Sequence, residues 1–426
     1  MGSFKEVSSE VEFGAQEHGV IELWKKQNTF QRSVDQRKDA QNFIFYDGPP
    51  FATGLPHYGH LVASTLKDIV PRYWTMRGFR VERRFGWDTH GLPIEMQVEK
   101  NLNLNGPHSI REFGVAKFNE ACRGSVLTYV EEWRRTVTRV GRWVDFDNDY
   151  KTMDLSFMES VWWVFAELWK KGLVYQGRRV MPYSWRLSTP LSNFEAGLDY
   201  RDVDDPALTV RLVLDEAIGG KKTSLLIWTT TPWTLPSNLA VAVSNDIDYV
   251  VVDHEDGQRY VLAKDLLTQT LGEKATVVST LKGSELVGKT YAPLFPFFAD
   301  RKAKGAFRVI HSGHVTTTDG TGLVHMAPAF GEDDFNACQK NGIDVVDPVD
   351  PEGNFTKEVP PYAGKNVKEA DKQIMADLKA QGSTFKHTQI RHQYPYCYRS
   401  GTPLIYKTTP SWYVKVEPLR ERMMAA

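Results

Sequence analysis

Cysteine is nearly absent from this 426-residue chain: only Cys122, Cys338 and Cys397 occur, far apart and odd in number. That excludes a disulfide scaffold and fits a reducing compartment. Net charge is almost absent too, since 52 Lys+Arg against 53 Asp+Glu leave -1. No global field draws the chain to polyanions, so local basic patches would have to hold any nucleic-acid partner. No apolar run approaches the ~18 residues that a membrane helix needs. The opening MGSFKEVSSEVEF lacks the apolar core of a signal peptide, and Glu6 stands where a myristoylation signal needs Ser or Thr. A cytoplasmic protein without a membrane partner is expected. What remains is ordinary globular material, 41% hydrophobic and 25% charged with 32 Gly and 22 Pro. The length suits two or three domains.

One internal repeat organises the chain. Pro182-Tyr183-x-x-Arg186-x-x-Thr189-Pro190-Leu191 returns as Pro395-Tyr396-x-x-Arg399-x-x-Thr402-Pro403-Leu404. The spacing is far too long for a solenoid. Chance reuse of Pro-rich turns is one explanation. A pair of knuckles standing side by side, with a domain inserted between them, is preferred because the texture changes on either side.

Ahead of the first knuckle, strand and helix alternate. Phe43–Tyr46 reads as a short buried strand that Asp47-Gly48-Pro49-Pro50 breaks. Leu61, Val62, Leu66, Ile69, Val70 and Tyr73 keep helical spacing over 56–77, with Pro71 predicting a kink or boundary. A second strand is expected near 80–85, which makes a βαβ unit with parallel pairing. Helices are expected over 133–142 and 157–170. Between the knuckles, short strands are expected at 207–214, 224–228, 239–243, 249–253, 259–262 and 320–326, with helices at 332–340 and 366–381.

Two constellations carry chemistry in the first region. Pro56-His57-Tyr58-Gly59-His60 sits where a helix begins, and a helix N-terminus favours phosphate. His57 and His60 share one side of the first turn, and Gly59 lets a flat ligand approach the backbone. Capping or core histidines explain many such pairs. Gly86-Trp87-Asp88-Thr89-His90-Gly91-Leu92-Pro93 ends the second strand, where ligands of open parallel sheets bind. Asp88 could take a substrate ammonium there, or simply form a turn.

Together with Asp47-Gly48-Pro49-Pro50, these stretches resemble class I aminoacyl-tRNA synthetases of the isoleucyl type, His57–His60 being similar to their "HIGH" signature. Trp228-Thr229-Thr230-Thr231-Pro232-Trp233-Thr234-Leu235-Pro236-Ser237-Asn238 resembles the threonine-rich segment of that family's editing domain. Gly320-Thr321-Gly322-Leu323-Val324-His325-Met326-Ala327-Pro328, with Gly331-Glu332-Asp333-Asp334, resembles its partner motif. Valyl and leucyl relatives usually carry Arg and an acidic residue where this chain has Thr231-Pro232-Trp233. The likeness runs through nearly the whole chain.

The resemblance implies an α/β chain in three parts. Residues 1–191 would be the first half of a Rossmann-like parallel-sheet catalytic domain with an N-terminal extension. Residues 192–394 would be an inserted, β-rich mixed editing domain of CP1 type, and 395–426 a truncated return to the first. It implies isoleucine, ATP with Mg2+ and tRNA(Ile) as substrates, and a monomer. His57 and His60 would stabilise ATP phosphates, with Gly59 under the adenine. Asp88 would hold the isoleucine ammonium, and Pro50 would line the side-chain pocket. In the inserted domain, Thr229, Thr230 and Thr231 would surround a mischarged valine and the terminal adenosine. Asp334 would take the α-ammonium, and His325 and Asn238 would shape the pocket.

Two departures qualify this picture. Relatives that bind zinc at the knuckles use Cys-x-x-Cys on each. Here the corresponding residues are Ser184, Leu187, Cys397 and Ser400, so no structural zinc and no other metal site is expected. The family's "KMSKS" loop is also absent, so the chain looks like an N-terminal fragment that does not aminoacylate. Two rival readings come from other classes. Gly283-Ser284-Glu285-Leu286-Val287-Gly288-Lys289-Thr290 matches the P-loop pattern, but Pro293 and Pro296 follow where a helix is required. Arg72, Arg77, Arg80, Arg83 and Arg84 form a basic cluster that could serve a non-enzymatic RNA-binding module.

Overall fold

The computed structural model describes residues 10–273 and 275–425, and the chain divides into two compact units, one reaching Leu173 and one starting at Val174. The architecture is mixed α/β. Among the described residues, no helix is long and apolar enough to cross a membrane.

The first unit is largely helical around one parallel strand pair, β1 (Arg84–Trp87) and β2 (Asp145–Lys151), with Trp87 opposite Lys151. Parallel pairing requires a crossover, supplied by four helices between Leu92 and Arg139. The helix expected over 56–77 is Tyr58–Met76. It continues through the buried Pro71, so the expected boundary there is not present; the Thr75 hydroxyl donates to the Pro71 carbonyl at 2.7 Å. The other two expected helices are Val130–Arg139 and Leu155–Lys170.

The strand expected at Phe43–Tyr46 is corrected. The stretch pairs with its neighbour only at its flanks, Asn42 with Arg80 and Phe51 with Asp88, and Ile44 and Tyr46 are exposed. An apolar run forms a buried strand only where both faces are covered. The arginines of the basic cluster each have a partner of their own, and they differ in exposure: Arg83 is buried, whereas Arg77 and Arg84 are exposed. Arg83 is buried and donates to the Thr75 hydroxyl at 2.6 Å, while Arg72 pairs with Asp68 and lies 4.0 Å over the Trp143 ring. Arg84 donates to the Asn148 carbonyl, Arg80 pairs with Glu82, and Arg77 donates to the Tyr73 hydroxyl.

The second unit is strand-rich. Its strands are β3 (Val174–Ser184), β4 (Thr189–Pro190), β5 (Tyr200–Val213), β6 (Thr223–Thr229), β7 (Ala240–Val243), β8 (Asp248–His254) and β9 (Arg259–Ala263), then β10 (Ala275–Lys282), β11 (Arg308–His311), β12 (Val324–Met326), β13 (Thr384–Pro395) and β14 (Ile405–Val414). Nine of them make a curled mixed sheet in the order β10-β8-β9-β6-β12-β7-β11, with β5 pairing both β6 and β13. β6 runs parallel to β9 and β12, and β7 parallel to β11. The interior strands β6, β7 and β9 read as near-continuous apolar runs because both faces are covered.

The two knuckles do lie side by side. β14 pairs with β3 so that Ile405 faces Tyr183, and Leu191, Ala196, Cys397 and Leu404 form a small shared core. The Trp185 indole donates to the Pro403 carbonyl at 3.0 Å, and Arg399 reaches Glu195 at 3.1 Å. Lys289 and Thr290 do not open a helix: the only helical turn of the P-loop pattern is its first four residues, Gly283–Leu286, and Thr290 bridges Arg308 instead. A phosphate-cradling geometry therefore does not form there.

Candidate functional site

In the first unit, Asp47 anchors the loop that carries Pro50. Its carboxylate, buried, pairs with Arg142 and with Lys67 at 2.8 Å, and Lys67 also holds the Gly48 carbonyl at 2.6 Å. Lys67 belongs to helix Tyr58–Met76, so the loop is tied to the element that carries the histidines. On the loop's far side, the Asp88 N–H donates to the Pro50 carbonyl at 2.9 Å, which brings those two residues together. The Asp88 carboxylate is half-buried, within 3.4 Å of the His90 N–H and 3.5 Å of the Thr152 hydroxyl.

His57 and His60 cap the helix reciprocally. The His57 N–H donates to His60 Nδ1 at 3.2 Å, the His60 N–H donates to His57 Nδ1 at 3.4 Å, and the rings stack with centroids 3.6 Å apart. With both Nδ1 atoms accepting, each neutral ring carries its proton on Nε2. The pair thus presents two Nε2–H donors at a helix N-terminus. Burial holds the His60 pKa below its ordinary value, helped by His57 and Lys67. A Cβ at Gly59 would come within 3.0 Å of the His57 ring, so glycine there makes room for the stacked pair.

In the second unit, a cavity of about 330 Å3 opens at the end of β6 and is lined by Thr229, Thr230, Thr231, Thr234, His325 and Asp334, among others. The strand-end threonines bond to one another: Thr229 Oγ1 lies 3.2 Å from Thr231 Oγ1 and accepts the Thr231 N–H at 3.1 Å. β-Branched side chains restrained in this way set a rigid volume. The following 3-10 helix, Pro232–Ser237, is pinned because the Trp233 N–H donates to the buried Asp371 carboxyl at 2.7 Å. The facing wall is the Gly320–Val324 stretch, shorter as a strand than expected because Gly320 (φ +76) and Gly322 (φ +73) turn left-handed. A Cβ on Gly322 would fall 2.3 Å from that of Ala263.

His325 is buried and engaged on both nitrogens, by Asn238 Nδ2 at Nδ1 (2.8 Å) and by Thr234 Oγ1 at Nε2 (2.9 Å). Burial lowers its pKa to about 3, so the ring is neutral at neutral pH and a weak base, with both nitrogens already in hydrogen bonds. Asn238 does not line the cavity; it stands behind His325. Asp334 accepts the Ala327 N–H at 2.8 Å and projects into the cavity from the first turn of helix Glu332–Lys340. Desolvation raises its pKa to about 7, despite the Ala327 bond, which works the other way. A cationic ligand would bind the ionised form and displace that proton.

Sequence reasoning missed Thr234, Asp371 and Tyr291, the last donating to Asn238 Oδ1 at 2.7 Å from a fully buried position. Thr234 was within reach, three residues beyond Thr231 in the same segment. Tyr291 and Asp371 carried no local signal. At the knuckles, Cys397 is the single thiol among Ser184, Leu187 and Ser400. One thiolate is too small a donor set for tetrahedral zinc.

Residues 19–426 match the family described as tRNA synthetases class I (I, L, M and V), and the chain belongs to that family. Among its curated relatives, the isoleucine–tRNA ligase of Bdellovibrio bacteriovorus is 54% identical over 426 residues, covering 99% of this chain and 40% of that protein. The isoleucine–tRNA ligase of Protochlamydia amoebophila is also 54% identical, over 99% of this chain and 41% of its own. That of Treponema denticola is 50% identical, with 99% and 41% covered. The chain thus spans about two-fifths of the length of the curated relatives it matches. A solved structure described as the crystal structure of GlLeuRS-CP1 aligns with 43% of this chain and 97% of its own, at 15% identity and a TM-score of 0.33.

Proposed function

We propose that this chain belongs to an isoleucine–tRNA ligase and carries its proofreading site, together with part of its amino-acid activation site. The observation that carries the reading is the convergence of Thr229, Thr230, Thr231, Thr234, His325 and Asp334 on one cavity, in a chain half identical to isoleucine–tRNA ligases. In this reading, residues 1–191 are the first half of a Rossmann-like catalytic domain, 192–394 the inserted editing domain and 395–426 the return.

Activation joins the isoleucine carboxylate to the α-phosphate of ATP and releases pyrophosphate, the Mg2+ travelling with the ATP phosphates. The Nε2–H groups of His57 and His60 would meet the developing phosphate charge. Asp88 would hold the ammonium, Pro50 would bound the side-chain pocket, and Gly59 would lie beneath the adenine. The amino acid is then passed to the terminal ribose of tRNA(Ile). We assign the protein to the cytoplasm, as a monomer without structural zinc, and infer that this chain alone does not aminoacylate.

A second site is required on physical grounds. Isoleucine and valine differ by one methylene, worth about 0.8 kcal/mol of burial and at most ~3 kcal/mol in a tight pocket. The difficulty is the standard illustration of selection in this family. A smaller hydrolytic pocket resolves it by admitting valine and excluding isoleucine. The threonines set the volume, Asp334 pairs with the α-ammonium, and water adds to the ester carbonyl. The bond to the ribose oxygen breaks, releasing valine and the tRNA hydroxyl. With His325 neutral and engaged, the water is positioned by hydroxyls.

The deciding experiment is deacylation of valyl-tRNA(Ile) against isoleucyl-tRNA(Ile) by the purified chain, with Asp334→Ala as control. Selective loss of valine that the substitution abolishes supports the reading. Equal hydrolysis of both, or none by a folded chain at high concentration, would sink it. Robust isoleucine-dependent ATP–pyrophosphate exchange would overturn the inference that the chain alone is inactive in ligation.

A further inference from the structure

Behind the cavity, hydrogen bonds run in one direction only. Tyr291 is fully buried, and burial raises its pKa well above the ordinary value, so its hydroxyl stays a donor. It donates to Asn238 Oδ1 at 2.7 Å. With that oxygen engaged, the amide turns its NH2 to the Ala240 carbonyl (3.0 Å) and to His325 Nδ1 (2.8 Å). Nδ1 must then accept, so the single proton of the neutral ring lies on Nε2. Nε2–H points to Thr234 Oγ1 at 2.9 Å. The Thr234 hydroxyl spends its own proton on the Thr231 carbonyl at 2.8 Å. What Thr234 offers on its cavity side is therefore its remaining lone pair, which the Thr231 hydroxyl approaches at 3.4 Å and a ligand donor would have to share or take over.

We propose that Tyr291 is a positioning residue for the hydrolytic site: its hydroxyl orients Asn238, fixes His325 as the Nε2–H tautomer, and makes Thr234 a pure acceptor toward the substrate. This deepens the proofreading reading and rests on it. The ligand group that Thr234 meets must be a donor, such as the attacking water or a free ribose hydroxyl of the terminal adenosine. Were the amide turned over, Nδ1 would face an oxygen and take the proton. Nε2 would then accept, the Thr234 hydroxyl would swing to donate to it, and the Thr231 carbonyl would keep only the Thr234 N–H, at 3.0 Å. The Ala240 carbonyl opposes that inversion, so loss of the Tyr291 hydroxyl yields a mixture and not a clean switch.

The test is 15N NMR of the full chain carrying labelled histidine, with the His325 signal assigned by its disappearance in His325→Gln. The wild type is expected to show one neutral Nε2–H tautomer. A wild-type Nδ1–H signal overturns the proposal without any substitution, so the test survives a variant that fails to fold. In Tyr291→Phe, both tautomers are expected, with kcat for valyl-tRNA(Ile) hydrolysis lower by about tenfold and KM little changed. An unchanged single tautomer in a folded Tyr291→Phe chain overturns the proposal, as does unchanged kcat. Should the wild type prove inactive toward the ester, the proofreading reading fails, while the tautomer measurement still decides the role of Tyr291.

Discussion

From Val174 onward, most apolar side chains join one large core that runs from Tyr183 to Ile405, with the small knuckle core around Cys397 and Leu404 beside it. Before Leu173 they fall into two small groups, one around Phe85, Trp87 and Trp133, the other around Ile94, Val98 and Phe118. What ties the loop to the helix in the first unit is charge: Asp47 between Arg142 and Lys67, with the Tyr150 hydroxyl on the Asp47 carbonyl. Apolar surface is spent differently as well. Helix Leu155–Lys170 buries no residue, and Trp162 and Trp163 are more than 60% exposed. A sheet covered on both faces gains stability from area removed from water. A loop held by buried ions gains definition of position at the expense of desolvation, and it fails abruptly when one partner is removed.

That contrast can be broken in order of effect. Asp47→Ala should cost most, about 3–5 kcal/mol, because it leaves the buried Arg142 guanidinium without its carboxylate and Lys67 with only the Gly48 carbonyl. Urea denaturation should show the loss in the first unit alone; an equal loss from the second would refute the separation. Leu225→Ala, at a fully buried position of β6, should cost about 2–4 kcal/mol, confined to the second unit.

Next in size is a pH effect that only the second unit should display. Asp334 and Asp371 have pKa values raised to about 7 by burial, from an ordinary 3.8. The folded state therefore holds protons that the unfolded state releases. Their contribution is complete below about pH 4 and declines as pH rises through 7, by roughly 1 kcal/mol after solvent screening. Asp253, held low by Arg259 and Lys221, acts in the opposite sense and is lost in strong acid. Melting of the second unit should thus be highest near pH 5, with Asp334→Asn flattening its alkaline side. A curve that rises steadily to pH 8 would contradict this. Smallest is Arg139→Ala, which removes an exposed pair with Glu17 and should change stability by less than ~0.5 kcal/mol. A loss comparable to that of Asp47→Ala would mean that surface and buried ions are equivalent in this unit.

Motifs made the candidate sites legible because their chemistry lies in short contiguous runs: the two histidines on one turn, the threonines at a strand end, Asp334 at a helix start. Periodicity carried the long elements, so Tyr58–Met76, Glu332–Lys340 and Val367–Ala380 fall within two residues of expectation. Burial was the part that local pattern could not supply. Phe43–Tyr46 has the composition of a buried strand, yet Ile44 is 87% exposed, because cover is decided by distant residues. Tyr291 reaches Asn238 only because its backbone bridges Leu214 and its N–H bonds to Phe307, across long sequence separations. Asp371 reaches Trp233 from a helix 138 residues further along. Five arginines close in sequence look like one patch, yet each has a different partner, from the buried Thr75 hydroxyl for Arg83 to the exposed Tyr73 hydroxyl for Arg77.

The uncovered indoles of helix Leu155–Lys170 also have an optical consequence. Eight of the twelve tryptophans lie before Leu173, Trp87 and Trp133 sealed from water and Trp162 and Trp163 wet. Fluorescence from this chain is therefore dominated by its first unit. It should combine a blue-shifted component that a soluble quencher cannot reach with a red-shifted one that is quenched at once. Far-UV circular dichroism in the β region reads mainly the second unit. One titration followed at both wavelengths separates the two without cutting the chain.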